Sequence, residues 1–216
     1  MRLVIGPATS PEYKSVAKRF LSDYVISLIG EVDGYLADPG CLKSFHLWVQ
    51  ILCPDEVVIA RSSCDVSSPL YLQKSKRSRE ELELAGIPVS ETFYSSSKNF
   101  ARPAPAIASI DCVDSRLNEM VLNGAGGDII SRLPGGLAPF LQGDPVAQNE
   151  LDLLRTLCLN EVRGCNHQDC KAYAYAGHRP LSFEEDLAFH QEREIPSATQ
   201  LFQKRGISFI GNFHRF

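Results

Sequence analysis

Two short motifs hold the side chains of this sequence best suited to chemistry. Cys112 lies in Asp111-Cys112-Val113-Asp114-Ser115-Arg116, and His167 and Cys170 lie in Asn166-His167-Gln168-Asp169-Cys170. Two thiolates and an imidazole are the ligand types a borderline-soft ion such as zinc prefers. Three protein ligands leave one tetrahedral position open, which separates a catalytic zinc site from a closed structural one. His167 and Cys170 are three residues apart, so a strand-to-helix turn lets both converge on one point, with Cys112 arriving from another strand end. Cys165, two residues before His167, is expected to turn to the opposite strand face and serve as core rather than as a fourth ligand. Cys41, Cys53, Cys64 and Cys158 read as small buried hydrophobes.

The elements that must position these residues follow from hydrophobic spacing and from breakers. Residues 2–5 read as a strand. Ser10 followed by Pro11 starts a helix whose face is Tyr13, Val16, Ala17, Phe20, Leu21 and Tyr24. Residues 45–53 and 56–60 read as strands separated by Pro54-Asp55, and 78–85 as a short helix closed by Gly86. The stretch 94–105 has the composition of a connector and marks a domain boundary. Beyond it, strands over 106–111, 128–133, 161–165 and 207–211 alternate with helices. One covers 146–159; another starts at a capping box of Ser182 and Glu185, breaks at Pro196, and resumes over 197–205 until Gly206. This alternation predicts an α/β fold with a mostly parallel β-sheet flanked by helices and sites at its carboxyl edge. Residues 1–100 read as an N-terminal α/β extension and 101–216 as the domain with both motifs. No internal repeat is evident.

Composition narrows the function classes. The chain has 216 residues, 44% hydrophobic and 22% charged, with 22 Lys and Arg against 26 Asp and Glu for a formal charge of −4. A mildly acidic chain has no global field for gripping a phosphate backbone, so no nucleic-acid partner is expected. The basic run Lys74-Ser75-Lys76-Arg77-Ser78-Arg79 reads as a solvated loop. No stretch reaches the roughly 20 apolar residues that span a bilayer, and the first residues lack a signal-peptide core. A cytoplasmic, reducing setting is expected, and the seven cysteines then call for an explanation other than disulfides. Gly124-Ala125-Gly126-Gly127 does not sit between a strand and a helix as a dinucleotide loop must. His178, His190 and His214 read as solvated or helix-packed histidines rather than proton shuttles.

The ordered pair of motifs, C-x-D-x-R and then H-x-x-C, resembles the zinc signature of the β-class carbonic anhydrases. Gly127-Asp128-Ile129-Ile130-Ser131-Arg132, the turn Leu133-Pro134-Gly135-Gly136 and the helix over 146–159 are similar to further parts of that family, and the likeness covers about 106–216. The resemblance implies a β-carbonic-anhydrase-like fold, one Zn2+ per chain on Cys112, His167 and Cys170, and a catalytic dyad of Asp114 and Arg116. It implies reversible hydration of carbon dioxide to bicarbonate and a proton, by a zinc-bound hydroxide that Asp114 orients while Arg116 holds the carboxylate ionised. It also implies a homodimer or higher homo-oligomer. Asn166, Lys171, Arg163 and Leu133-Pro134 depart from the family's usual pattern and bear on the pocket walls. Carbon disulfide or carbonyl sulfide is therefore an alternative substrate, and a non-catalytic zinc module an alternative role. Two thiolates donate more charge than imidazoles, so activity is expected to favour alkaline pH. A pH–rate profile already maximal near pH 6 contradicts this.

Overall fold

Runs of β-branched and aliphatic residues, such as Val4-Ile5, Val25-Ile26 and Val57-Val58-Ile59, suit strands buried on both faces, as a parallel sheet covered by helices requires. The computed structural model describes residues 1–8, 11–63, 69–83, 86–95, 107–122, 129–157, 159, 161–175 and 182–216. Within them the chain runs β1 (Arg2–Pro7), α1 (Pro11–Ala17), β2 (Tyr24–Leu28), α2 (Val32–Ala37), α3 (Pro39–Leu52), β3 (Glu56–Ser62), α4 (Pro69–Glu83) and β4 (Val89–Tyr94). It continues with β5 (Ile107–Cys112), α5 (Asn118–Met120), β6 (Ile129–Leu133), α6 (Ala138–Gln142), α7 (Pro145–Thr156), β7 (Glu161–His167), α8 (Lys171–Tyr175), α9 (Phe183–Phe189), a π-helical turn His190–Glu194, α10 (Ile195–Gln203) and β8 (Ser208–His214). Among the described residues no helix is long and apolar enough to cross a membrane.

All eight strands join one sheet in the order β4-β3-β1-β2-β6-β5-β7-β8. Neighbours are parallel except β2 and β6, which meet antiparallel at Ser27 and Arg132. The α/β class and the mostly parallel, helix-flanked sheet are as the sequence predicts.

The order also contains a repeat that the sequence reading missed. From the antiparallel seam outward, both halves run second, first, third, fourth strand. The ladders agree residue for residue: Leu3 faces Tyr24 as Ala108 faces Ile129, and Arg2 faces Glu56 as Ile107 faces Glu161. Each pair of counterparts is separated by 105 positions, and so are Ser27 and Arg132, the residues that meet at the seam. A pseudo-two-fold axis thus passes through that pair. The helices repeat too, since Asp38 before Pro39 caps α3 and Asp144 before Pro145 caps α7. A shared strand ladder constrains hydrophobicity and not residue identity, which leaves such a duplication faint in sequence.

Other expectations change with the environment. Residues 45–52 belong to α3 and not to a strand, and Cys53 follows as its left-handed cap. Cys41, Ser44, Phe45, Trp48, Val49 and Leu52 are buried at helical spacing, and the helix starts at the Asp38 cap, whose Oδ1 accepts from Cys41 N at 2.8 Å. The basic run lies in α4 rather than in a loop; Lys76–Glu80 and Arg79–Glu83 are i,i+4 ion pairs at 3.7 and 2.9 Å. Helix α1 ends at Ala17, a 3-10 turn covers Lys18–Phe20, and Tyr24 opens β2. Ser182 caps α9 by accepting from Glu185 N at 3.1 Å. Ser10, Cys64, most of the connector, Gly124–Gly127, Cys158 and His178 lie outside the described residues.

Glu150 of α7 helps lock the halves together. It is fully buried and accepts from Ile29 N at 2.8 Å, from the Tyr35 hydroxyl and from Ser131 Oγ at 2.8 Å. Burial pushes its carboxyl up to about 7, although the donors from Tyr35, Ile29 and Ser131 oppose the rise. A raised carboxylic pKa favours the folded state most at low pH, and that advantage is lost as pH climbs from the unfolded value to the folded one. Glu150→Gln should therefore flatten the pH dependence of stability between about 4.5 and 7. The flattened part is worth about 3 kcal/mol at most, measurable as urea midpoints across that range.

Candidate metal centre

Parallel strands bring their carboxyl ends to one edge, and two of the three ligand candidates close adjacent strands there: Cys112 ends β5 and His167 ends β7. The turn through Gln168 and Asp169 returns the chain so that Cys170 precedes α8. Asp169 adopts φ +55°, a left-handed conformation that aspartate tolerates better than most residues, and its N–H donates to Asp186 Oδ2 at 3.2 Å. The structure brings Cys112, His167 and Cys170 together as predicted, with their ligand atoms all within 4.8 Å of one another. The two sulfurs are 3.7 Å apart. Sulfurs at zinc–thiolate distance on a tetrahedral ion stand about 3.8 Å apart.

The imidazole is poised for the same role. His167 is fully buried, and its Nδ1 lies 2.8 Å from the Gln168 carbonyl, which can only accept, so the proton sits on Nδ1. Nε2 then presents a lone pair, and it is a buried nitrogen with no hydrogen-bond partner. A backbone carbonyl that fixes the tautomer behind a metal-binding histidine is the usual outer-shell arrangement. These donors fit zinc. The hydrogen bond with Cys170, with help from His167, pulls the Cys112 thiol well below its ordinary range against the effect of burial. The same hydrogen bond and burial push Cys170 up. Burial disfavours imidazolium at His167, but the Cys112 thiolate and Asp114 outweigh it and the net direction is upward.

Asp114 and Arg116 form the pair that the second half of the first motif predicts. Arg116 donates from Nε to Asp114 Oδ1 at 3.0 Å and from Nη2 to Oδ2 at 2.8 Å, a bidentate grip. Burial raises the Asp114 carboxyl, but the Arg116 side-chain and backbone donors outweigh it and hold the group below its ordinary value. Asp114 Oδ2 stands 3.8 Å from His167 Nε2, beside the ligand group rather than within it. Phe216 lies under the Arg116 guanidinium, 4.4 Å from ring centre to Cζ, and against the edge of His167.

Several residues that hold this geometry were not foreseen. Arg132 is fully buried and donates to the Cys112 carbonyl at 3.1 and 2.8 Å, to the Asp114 carbonyl at 3.2 Å and to Asn118 Oδ1. Asn118 in turn donates to the carbonyls of Leu21 and Asp23, both at 2.8 Å. An arginine as the one charge in a strand of buried residues was the available signal, since a buried guanidinium needs partners. Gly135 and Gly136 have φ +88° and +57°; a Cβ at Gly136 would stand 2.5 Å from Asn166 Oδ1, and Gly135 N–H faces the Cys112 sulfur at 3.4 Å.

Cys165 is core and outside the ligand group, but not for the expected reason. Alternate residues of a strand share a face; what removes Cys165 is its depth along β7, where burial and neighbouring Asp111 push its thiol up. Cys41 is buried, whereas Cys53 is exposed at the left-handed end of α3. His190 is buried within the π-helical turn and His214 is half-buried on β8.

A cavity of about 360 Å³ opens over the group. Asp114, Arg116, Cys112 and Cys170 line it together with Tyr24 and Leu52, both from the first hundred residues. Comparison with protein-family models, with curated proteins and with solved structures finds no match to this chain. Asn118→Ala should leave the Leu21 and Asp23 carbonyls and the Arg132 charge without their partner, costing about 2–4 kcal/mol in urea unfolding. It should also weaken zinc retention against a chelator, because the Cys112 segment loses its anchor.

Proposed function

We propose that this chain is a zinc-dependent carbon dioxide hydratase of the β-carbonic-anhydrase type, with Cys112, His167 and Cys170 as ligands and Asp114 and Arg116 as the catalytic dyad. One observation carries the reading. A buried imidazole nitrogen without a hydrogen-bond partner converges with two sulfurs 3.7 Å apart, next to a carboxylate held by a bidentate arginine. A structural zinc site has no use for such a carboxylate. A zinc ion held there supplies Lewis acidity that lets water act as a nucleophile near neutral pH.

The protein residues supply the rest. Asp114, kept ionised by Arg116, accepts a proton from the nucleophile and aims the oxygen toward the substrate carbon. Arg116 keeps that carboxylate turned toward the group and is itself steadied by Phe216. Tyr24, Leu52, Pro134 and Ala172 contribute apolar surface that suits a small linear gas. The same wall suits carbonyl sulfide and carbon disulfide, so turnover of the three gases should be compared; carbon dioxide is expected to be fastest. Free thiols as ligands suit a reducing, cytoplasmic setting.

Cys170→Ser should lose both metal and turnover. Asp114→Asn should keep about one zinc per chain while hydration falls roughly 10²–10⁴-fold, the range for a lost general base. Zinc analysis with stopped-flow hydration at alkaline pH checks both. A zinc-loaded wild type without hydration, whose metal removal unfolds it, would make the site structural.

A further inference from the structure

Among the described residues, the first half of the chain repeats the strand frame of the metal-binding half without the Cys112 and His167 side chains. By the ladder correspondence Pro7 stands where Cys112 does and Ser62 where His167 does. Neither supplies a thiolate or an imidazole. Next to Ser62, the buried Arg61 is paired with Asp33 and with Glu91 at 2.9 Å. Among the described residues the only grouping of metal-ligand type is Cys112, His167 and Cys170.

What this half keeps is a position against the site. Strand β2 lies on the outer edge of β6, the edge that the metal-binding half would otherwise present to another chain. Because β2 runs antiparallel to β6, its first residue, Tyr24, reaches the carboxyl edge where β5 ends, and Val25 N–H faces the Val113 carbonyl at 3.4 Å. Leu52, the last residue of α3, comes to the same cavity. Asn118 fastens the two halves beside it.

We propose that residues 1–95 act as a built-in partner subunit: they occupy the β6 edge and supply Tyr24 and Leu52 as the pocket wall that sets ligand size, so that the chain works as a monomer with one ion. The chemistry attributed to the pocket rests on the hydratase reading, while the wall and the occupied edge do not. This replaces the homodimer that the family resemblance implies with a pseudo-dimer inside one polypeptide.

The test uses the full chain loaded with zinc or cobalt(II). Light scattering should give the single-chain mass of 23.9 kDa, and metal analysis one ion per chain. Leu52→Ala and Tyr24→Ala should keep that ion, while the affinity of cobalt for azide, read from the visible spectrum, shifts at least fivefold. In the zinc forms, kcat/KM for carbon dioxide should fall at least fivefold. A dimer mass, a second bound ion, or wall variants that hold azide affinity within twofold overturn the proposal. A wild type that binds azide yet hydrates no carbon dioxide overturns the hydratase reading alone, and the azide shifts then decide the wall. Should either variant not fold, the wild-type mass and metal count still decide whether the partner is built in.

Discussion

A guanidinium without solvent-exposed surface has to find all of its partners inside the protein, and here those partners define the site. Arg132 stands at the seam where the two halves of the sheet meet, opposite Ser27. Its donors hold the carbonyls on either side of Val113, and through Asn118 they reach the 20–23 segment of the other half. One charge therefore fixes the ligand Cys112, the backbone of Asp114 and the junction between halves. Removing any of these partners would leave a charge buried and incompletely met, which is far more costly than the net worth of the pairing. Burial lowers the Arg132 pKa, and Asp111 and Cys112, the acidic groups nearest in effect, oppose that change.

A second polar layer backs the ligand turn from the other direction. Asn166 donates to the Tyr173 hydroxyl at 3.0 Å and to Glu194, while Asp186 accepts from the strained Asp169. The π-helical turn directs His190 and Glu194 to this layer together, and Glu194 pairs with His190. Single-turn π segments recur at functional sites because they redirect side chains without ending a helix. Burial pushes the Glu194 carboxyl up to about 8, so near neutrality Glu194 itself is held largely as the neutral acid. The three candidate ligands are thus supported on one side by Arg132 and on the other by this layer.

The Cys112, His167 and Cys170 grouping was legible in the sequence because two thiols and an imidazole at that spacing are a recognisable donor set, whereas the pairing of Asp114 with Arg116 was expected from the family resemblance. The buried strands were legible from their β-branched runs. Helix α3 was not, since the run at Leu47–Cys53 looks strand-like unless the cap at Asp38 is included. Tyr24 and Leu52 gave no signal at all. Their place in the cavity follows from the antiparallel seam, which brings together residues far apart in sequence, and no local pattern encodes that contact.

The repeat explains why such a seam exists and why only one half has the chemistry. Arg61 and Asn166 hold the same position in the third strand of each half, one residue before Ser62 and His167 respectively. In the second half, Asn166 is neutral and leaves the space ahead of it to His167 and the two thiols. In the first, Arg61 brings a charge that pairs with Asp33 and Glu91, and Ser78 donates to the same Asp33 at 2.9 Å. The Arg61 cluster meets its charge with carboxylates of the same half, whereas two thiols beside an imidazole whose Nε2 has no hydrogen-bond partner form a donor set suited to a cation. The two halves share a strand frame and diverge at the ends of their strands, where one closes an ion cluster within itself and the other gathers a donor set suited to a cation.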